Sequence, residues 1–274
     1  MTVSAHALAL LGLAVLAQAE PSCHVPRAVP SGTAAWAAAH SSAAATLARM
    51  SQQDKVNMVS GIGWDKGPCV GNTAAISSIG YPQLCLQDGP LGIRFGTGST
   101  AFTPGIQAAS TWDVELIRQR GAYLGAEAKG CGIHVLLGPV AGALGKIPQG
   151  GRNWEGFGVD PYLSGIAMAQ TIDGIQGAGV QACAKHYIGN EQELNRETMS
   201  SDIDDRTMHE LYLWPFADAV RAGVGSVMCS YNKINGTYAC ENEWTTNYLL
   251  KNELGFQGFR KCGVRLESRK FADS

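Results

Sequence analysis

Charge is scarce in this sequence. Asp, Glu, Lys and Arg make up 16% of its 274 residues, and the formal net charge is −2. No basic block occurs before the last few residues, so neither nucleic acid nor a membrane surface is indicated as a partner. The eight cysteines include no C-x-x-C pair, which leaves a zinc ribbon or a thioredoxin-type site without a basis. H-E-x-x-H is absent. So are G-x-G-x-x-G after a strand and G-x-x-x-x-G-K-[ST]: Gly145-Lys146 lacks both the earlier Gly and the following Ser or Thr. No motif therefore calls for a metal, a nucleotide or an organic cofactor. No apolar run is long enough to span a bilayer comfortably.

One shorter apolar run does occur, at residues 7–17, and it ends in Ala17-Gln18-Ala19. That A-x-A pattern marks residues 1–19 as a secretory signal peptide, although no Lys or Arg precedes the run. The expectation is an extracellular protein starting near Glu20, in a compartment where disulfides persist. Asn235-Gly236-Thr237 then becomes a candidate glycan acceptor at Asn235.

Glycine, by contrast, is abundant at 34 residues, and much of it falls where helical patterns stop. Residues 20–49 read as an Ala/Ser/Pro-rich arm on the surface. Ser51-Gln52-Gln53-Asp54 is a capping box that starts a helix ending at Gly61 and Gly63. Residues 84–86 read as a short strand stopping at Asp88 before Gly89-Pro90. Thr111 is the expected N-cap of a helix reaching Lys129, and residues 133–137 the next strand. A long Gly-rich loop, 142–158, carries Lys146, Arg152, Trp154 and Glu155; long loops in compact domains are usually functional or disordered, and Trp154 and Phe157 argue against disorder. Asp160-Pro161 supplies N-cap and N1 for a helix to about Gln176.

Residues 180–184 form an apolar strand that stops at Lys185 and His186, followed by the polar string Asn190, Glu191, Gln192, Glu193, Asn195 and Arg196. Asp204 or Asp205 caps a helix kinked at Pro215. Residues 226–228 form another strand, and a last helix runs from about Asn242 to Leu254. Strands and helices alternate with Gly or Pro at the joints, which predicts a parallel α/β sheet or barrel.

Four strand exits carry polar groups: Asp88 with Arg94; Arg152 with Trp154 and Glu155; Lys185, His186 and Arg196; Met228 with Tyr231. Each residue alone has a bland reading, such as a surface ion pair or a satisfied core His. Together they suit a small polyhydroxylated ligand. Asp accepts from two hydroxyls, Lys, His and Arg donate charge-assisted bonds, and Tyr and Met pack on a ring face.

Five segments then become recognisable: Leu84-Cys-Leu-Gln-Asp-Gly-Pro-Leu-Gly-Ile-Arg94, Gly138-Pro-Val-Ala-Gly142, Gly150-Gly-Arg-Asn-Trp-Glu-Gly-Phe-Gly-Val-Asp-Pro-Tyr162, Lys185-His-Tyr-Ile-Gly-Asn-Glu-Gln-Glu193 and Val227-Met-Cys-Ser-Tyr-Asn232. In these the chain resembles the fungal β-glucosidases (cellobiases) of glycoside hydrolase family three, over roughly residues 50–259. The resemblance implies a (β/α)8 TIM-barrel-like N-terminal domain, incomplete at its C-terminal end, with the sugar at the C-terminal face of the strands. It implies a subsite for the non-reducing glucose of cellobiose or a related β-glucoside, built from Asp88, Arg94, Arg152, Lys185, His186, Arg196, Met228 and Tyr231. It also implies the disulfides Cys69–Cys85 and Cys229–Cys240, each worth roughly 3 kcal/mol by loop-closure arithmetic. Cys23, Cys131, Cys183 and Cys262 receive no partner.

The sequence also departs from that family. Its members are retaining enzymes, with one carboxylate as nucleophile and a second as acid and then base. The nucleophile is an Asp in a Ser-Asp-Trp or Thr-Asp-Trp segment soon after Gly-Phe-x-Gly-Phe, and counting on from Phe259 puts it at position 263. Here that position is Gly263. The acid/base lies in a later domain of the family. Residues 260–274 carry five of the 21 Lys and Arg residues, a composition unsuited to a strand buried on both faces. The expectation is a β-glucosidase sequence altered near codon 260, by a frameshift or a retained intron, and inactive as it stands. Two other readings stay open: a non-catalytic glucose-binding fragment, and a gene-model product without function.

Overall fold

The computed structural model describes residues 34–63, 69–141 and 147–261. Its spine is a six-stranded sheet in the order β1-β2-β3-β4-β6-β9. The strands are β1 Gly71–Asn72, β2 Cys85–Gln87, β3 Val135–Leu136, β4 Gln181–Tyr187, β6 Ser226–Cys229 and β9 Phe259–Lys261. β1 is antiparallel to β2, and every other neighbouring pair in this sheet is parallel. A small second sheet joins β5 Ser200–Ser201, β7 Lys233–Ile234 and β8 Thr237–Tyr238. The main sheet curls into a half-barrel, an incomplete TIM-barrel-like domain.

The helices are α1 Ala34–Leu47, α2 Gln52–Ser60, α3 Gly105–Ala109, α4 Val114–Gly130, α5 Pro161–Gly177, α6 Asp205–Thr207 and α7 Trp214–Arg221. α6 runs through a π-helical turn, Met208–Tyr212, before the bend at Leu213 that precedes Pro215. A second π-helix spans Trp244–Glu253, within the stretch expected to be helical.

Alternation along the parallel strands explains both sides of the sheet. Ala182 and Ala184 of β4, Val227 of β6 and Leu136 of β3 face the helices, packing with Ile117, Leu124, Ile172, Ile175 and Phe216. Cys183, Met228, Val135, Leu137, Leu86 and Val70 form a separate cluster inside the curl. Side chains two positions beyond an inward residue point inward too, which aims Asp88 (after Leu86) and Lys185 (after Cys183) at the mouth of the curl. α4 and α5 lie very close: a Cβ on Gly121 would fall 2.6 Å from the Thr171 carbonyl oxygen, and one on Gly125 2.8 Å from that of Ile175.

Several local expectations are met. Ser51 and Asp54 form the capping box, and Asp160 caps α5 through the Tyr162 and Leu163 amides. Both expected disulfides form, Cys69–Cys85 and Cys229–Cys240. Cys131 and Cys183 are free thiols, while Cys23 and Cys262 lie outside the described residues.

Other expectations need correction or further detail. Thr111 does not cap α4; Asp113 does, accepting from the Glu115 and Leu116 amides at 2.9 and 3.0 Å. The Thr111 hydroxyl instead donates to the Ala108 carbonyl. Part of the N-terminal arm is helical, because residues 34–47 are dense in Ala, the best helix former; none of that helix is buried. Within the Gly-rich loop the described portion folds into two 3-10 turns, Pro148–Gly150 and Asn153–Glu155, while Lys146 falls outside it. β4 does not stop at Lys185 but carries both Lys185 and His186. β9 forms although its composition is basic, because Phe259 and Arg260 are exposed and β9 is not covered on both faces. The signal segment and Gly263 lie outside the described residues.

Candidate active site

Lys185 is the centre of the polar cluster. It continues the inward face of β4, where its amide donates to the Pro139 carbonyl and its own carbonyl accepts from Ala141. Its side chain is 3% exposed, too little for a solvated lysine, and its ammonium lies 3.3 Å from Asp88 Oδ1. Arg94 approaches the other oxygen of the same carboxylate at 3.2 Å. Burial by itself raises the Asp88 pKa, but Lys185 and Arg94 outweigh it and hold the carboxyl below its ordinary range. Asp88 therefore carries its charge at neutral pH.

The buried Gln87 fixes this corner. Its side-chain oxygen accepts from the Asp88 amide at 3.1 Å, and its Nε2 donates to the Arg94 carbonyl at 3.2 Å. Arg94 N–H donates in turn to the Asp88 carbonyl at 2.9 Å. The carboxylate and its arginine thus sit on a backbone tied at three points.

A second group lies along the exits of the Gly-rich loop and β4. Arg152 is bidentate to Glu155, with Nε at 2.5 Å and Nη2 at 2.9 Å. Glu193 lies 3.7 Å from Arg152 and accepts from Arg196 at 2.6 Å, so one carboxylate orients two guanidinium groups. The Arg196 guanidinium stands 4.9 Å from the centre of the Tyr231 ring. His186 is buried beside these cations. Burial, then Lys185, Arg152 and Arg196, hold its pKa well below the ordinary value, so its imidazole is neutral and offers one donor and one acceptor. Burial also pushes the Tyr231 phenol up; Arg196 and Arg152 oppose the rise, and Glu197 and Asp88 add to it. The two groups are therefore one electrostatic site.

Seven of the eight residues singled out from sequence are drawn together in this way: Asp88, Arg94, Arg152, Lys185, His186, Arg196 and Tyr231. Met228 is near in the fold but belongs to the apolar cluster inside the curl, 7% exposed. The sequence reading did not assign Gln87 or Glu193 a role, since neither charge nor spacing shows that a residue's task is to orient a neighbour. Asn190, next to the exit of β4, is 4% exposed, and its Oδ1 meets no donor among the described residues.

Chemically, the site offers the Asp88 carboxylate as acceptor, with Glu155 and Glu193 engaged by Arg152 and Arg196, several fixed cationic donors and a neutral imidazole. That set can hold a neutral polyol by many short hydrogen bonds. Among the described residues no three His, Cys, Asp or Glu side chains are grouped as metal ligands, and no helix is long and apolar enough to cross a membrane.

Known proteins share the sequence and the fold of this chain. The family model described as the glycosyl hydrolase family 3 N terminal domain matches residues 72–260. Beta-glucosidase cel3A of Pyricularia oryzae is 75% identical over 224 residues, covering 82% of this chain and 31% of the relative. The chain thus spans about a third of the length of the curated relatives it matches. The crystal structure of Beta-D-glucoside glucohydrolase from Trichoderma reesei superposes with a TM-score of 0.83 at 69% identity, over 85% of this chain and 33% of that one. Beta-glucosidase 3B from Thermotoga neapolitana, in complex with alpha-D-glucose, gives 0.76 at 34% identity, over 81% and 33%.

Proposed function

The chain belongs to glycosyl hydrolase family 3, and on that premise we propose that its polar hollow is the subsite for the non-reducing glucose of a β-glucoside. The observation that carries this reading is the half-buried carboxylate Asp88, held ionised between Lys185 and Arg94. An acceptor fixed in this way takes two adjacent sugar hydroxyls at once, and the surrounding Arg152, His186 and Arg196 donate to others. Tyr231 offers a ring to the apolar face of the sugar, and Met228 closes the floor. The glucose bound to the Thermotoga neapolitana relative supports the ligand class.

The whole protein of which this sequence is a version hydrolyses terminal β-D-glucosyl residues, as from cellobiose and cello-oligosaccharides, by a retaining route. That route needs a carboxylate to attack the anomeric carbon. Position 263, where the resemblance puts it, is glycine, which has no side chain with which to form a glycosyl ester. The 274-residue polypeptide on its own therefore binds glucose without turning glucosides over. Calorimetric titration with glucose and an aryl β-glucoside assay test the two halves separately. Binding without turnover is expected. No heat at high millimolar glucose would sink the first half, and turnover comparable to that of a full-length β-glucosidase would sink the second.

The same reading makes the protein extracellular and Asn235 a glycan site. Asn235 is exposed at the β7–β8 turn; its Oδ1 accepts from the Ile203 amide at 2.8 Å and its Nδ2 donates to the Ile203 carbonyl at 3.1 Å. An N-linked sugar replaces one of the two Nδ2 protons, so both bonds survive attachment. Secretion from a fungal host followed by endoglycosidase treatment should lower the mass, and Asn235→Gln should remove the change.

A further inference from the structure

Gln87 does more than tie Asp88 to Arg94. Its side-chain oxygen takes a second donor, the Val70 amide, at 3.3 Å. The residue is 4% exposed, and its three side-chain bonds all run to backbone groups, of Val70, Asp88 and Arg94. Val70 follows Cys69, and Cys69 is bonded to Cys85, the first residue of the strand that ends in Gln87. Antiparallel pairing of Gly71 with Leu86 and of Asn72 with Cys85 brings Val70 alongside Gln87. The buried Asn72 holds the same segment a second time, its Nδ2 donating to the Cys69 carbonyl at 2.6 Å.

We propose that Gln87 is a positioning residue through which the Cys69–Cys85 disulfide sets the affinity of the sugar subsite. The inference rests on the subsite proposed above and adds what keeps it in shape. A carboxamide oxygen has two lone pairs, and the Val70 and Asp88 amides engage both. The group is planar, so a turn of its oxygen carries Nε2 with it, away from the Arg94 carbonyl. Fixing Val70 therefore fixes the carboxamide, and the carboxamide fixes the backbone under both Asp88 and Arg94. The disulfide lies at the far end of this connection. A competing route exists along the β2 backbone, from Cys85 through Leu86 to Asp88, and it does not pass through the Gln87 side chain.

The test is a double-mutant cycle on the glucose affinity of the 274-residue chain, measured by calorimetry. Gln87→Met, similar in length but without the carboxamide, should weaken glucose binding about tenfold. Replacing Cys69 and Cys85 together by Ser should weaken it about fivefold in the chain that keeps Gln87, the worth of one neutral hydrogen bond. In the Gln87→Met background the same cysteine replacements should weaken it no further. A thermal melt shows which variants are folded. If the variant without the disulfide is not, Asn72→Ala takes its place in the cycle, since it loosens Cys69 with the disulfide intact. Equal weakening in the two backgrounds overturns the proposal and assigns the effect to the β2 backbone. Unchanged glucose affinity in the folded chain without the disulfide, or in folded Gln87→Met, overturns it as well. If wild type binds no glucose, the subsite reading fails and takes the connection with it; if wild type binds and the cycle is additive, the connection alone fails.

Discussion

Lys185 and Asp88 are 97 residues apart in sequence, and the carboxylate accounts for the burial of the lysine. A lysine with 3% of its side chain exposed needs a counter-charge, and Asp88 supplies it. Removing Asp88 leaves Lys185 buried without the carboxylate that faces it. Asp88→Ala should therefore lower the unfolding free energy by about 3 kcal/mol, read from a denaturant titration, and should also abolish glucose binding. A loss of binding with unchanged stability would mean that Lys185 finds water or another partner. Glu193 has a different part, because it is partly exposed and orients Arg152 and Arg196 from the side. Glu193→Gln should weaken glucose binding by about tenfold, the worth of one charge-assisted hydrogen bond, with the melting temperature nearly unchanged.

At the scale of elements, much of the chain was legible because its joints are marked. Ser51 with Asp54, and Asp160 with Pro161, announce helix starts by capping chemistry that depends on neighbours in sequence alone. The Thr111 reading failed because two good caps stand two residues apart, and only the path of the chain decides between them. β4 was read short because Lys185 and His186 look like solvated residues, and what buries them comes from β2 and the Gly-rich loop. The exits were visible and their contents were visible. Which carboxylate meets which cation was not, since that depends on sheet order.

The α4–α5 contact was also illegible in sequence. Gly121 reads as a weak point in a helix, yet it is where the two backbones meet. Gly121→Ala should cost about 1–3 kcal/mol by overpacking, whereas the same change in an exposed helix would be favourable. A neutral or stabilising result would show that the helices can separate slightly.

A second element-level contact depends on pH. His209 follows α6; its Nδ1 lies 2.7 Å from the Asp205 carbonyl oxygen and its Nε2 3.0 Å from Glu253 on the second π-helix. The Asp205 carbonyl raises its pKa above the ordinary value against the opposing effect of burial, and Glu253 adds to the rise. A raised folded-state pKa stabilises the protein below the unfolded value and ceases to do so as pH rises through the folded one. Replacing His209 by Gln should therefore lower the melting temperature more at a pH of about 5.5 than at about 8.5. An equal loss at both would mean that the charge is not involved.

For the whole molecule, the two disulfides lie towards opposite ends of the main sheet, at β1–β2 and at β6. Cys69–Cys85 ties the segment leading into β1 to β2, and Cys229–Cys240 ties the end of β6 to the chain beyond β8. Replacing either pair by Ser should cost roughly 3 kcal/mol from chain entropy, measured by denaturant unfolding. The barrel character follows from the parallel pairing of β2, β3, β4, β6 and β9, which brings strand exits from distant parts of the chain to one face. That convergence is the physical reason a sugar site can be read here at all.

The most direct measurement of that convergence is a crystal structure of the 274-residue chain soaked with glucose. One pyranose should appear at the mouth of the curl, with two of its hydroxyls within hydrogen-bond distance of Asp88 and others facing Lys185, His186 and Arg152. A fully occupied glucose bound elsewhere, or a mouth left without sugar at saturating glucose, would contradict the account.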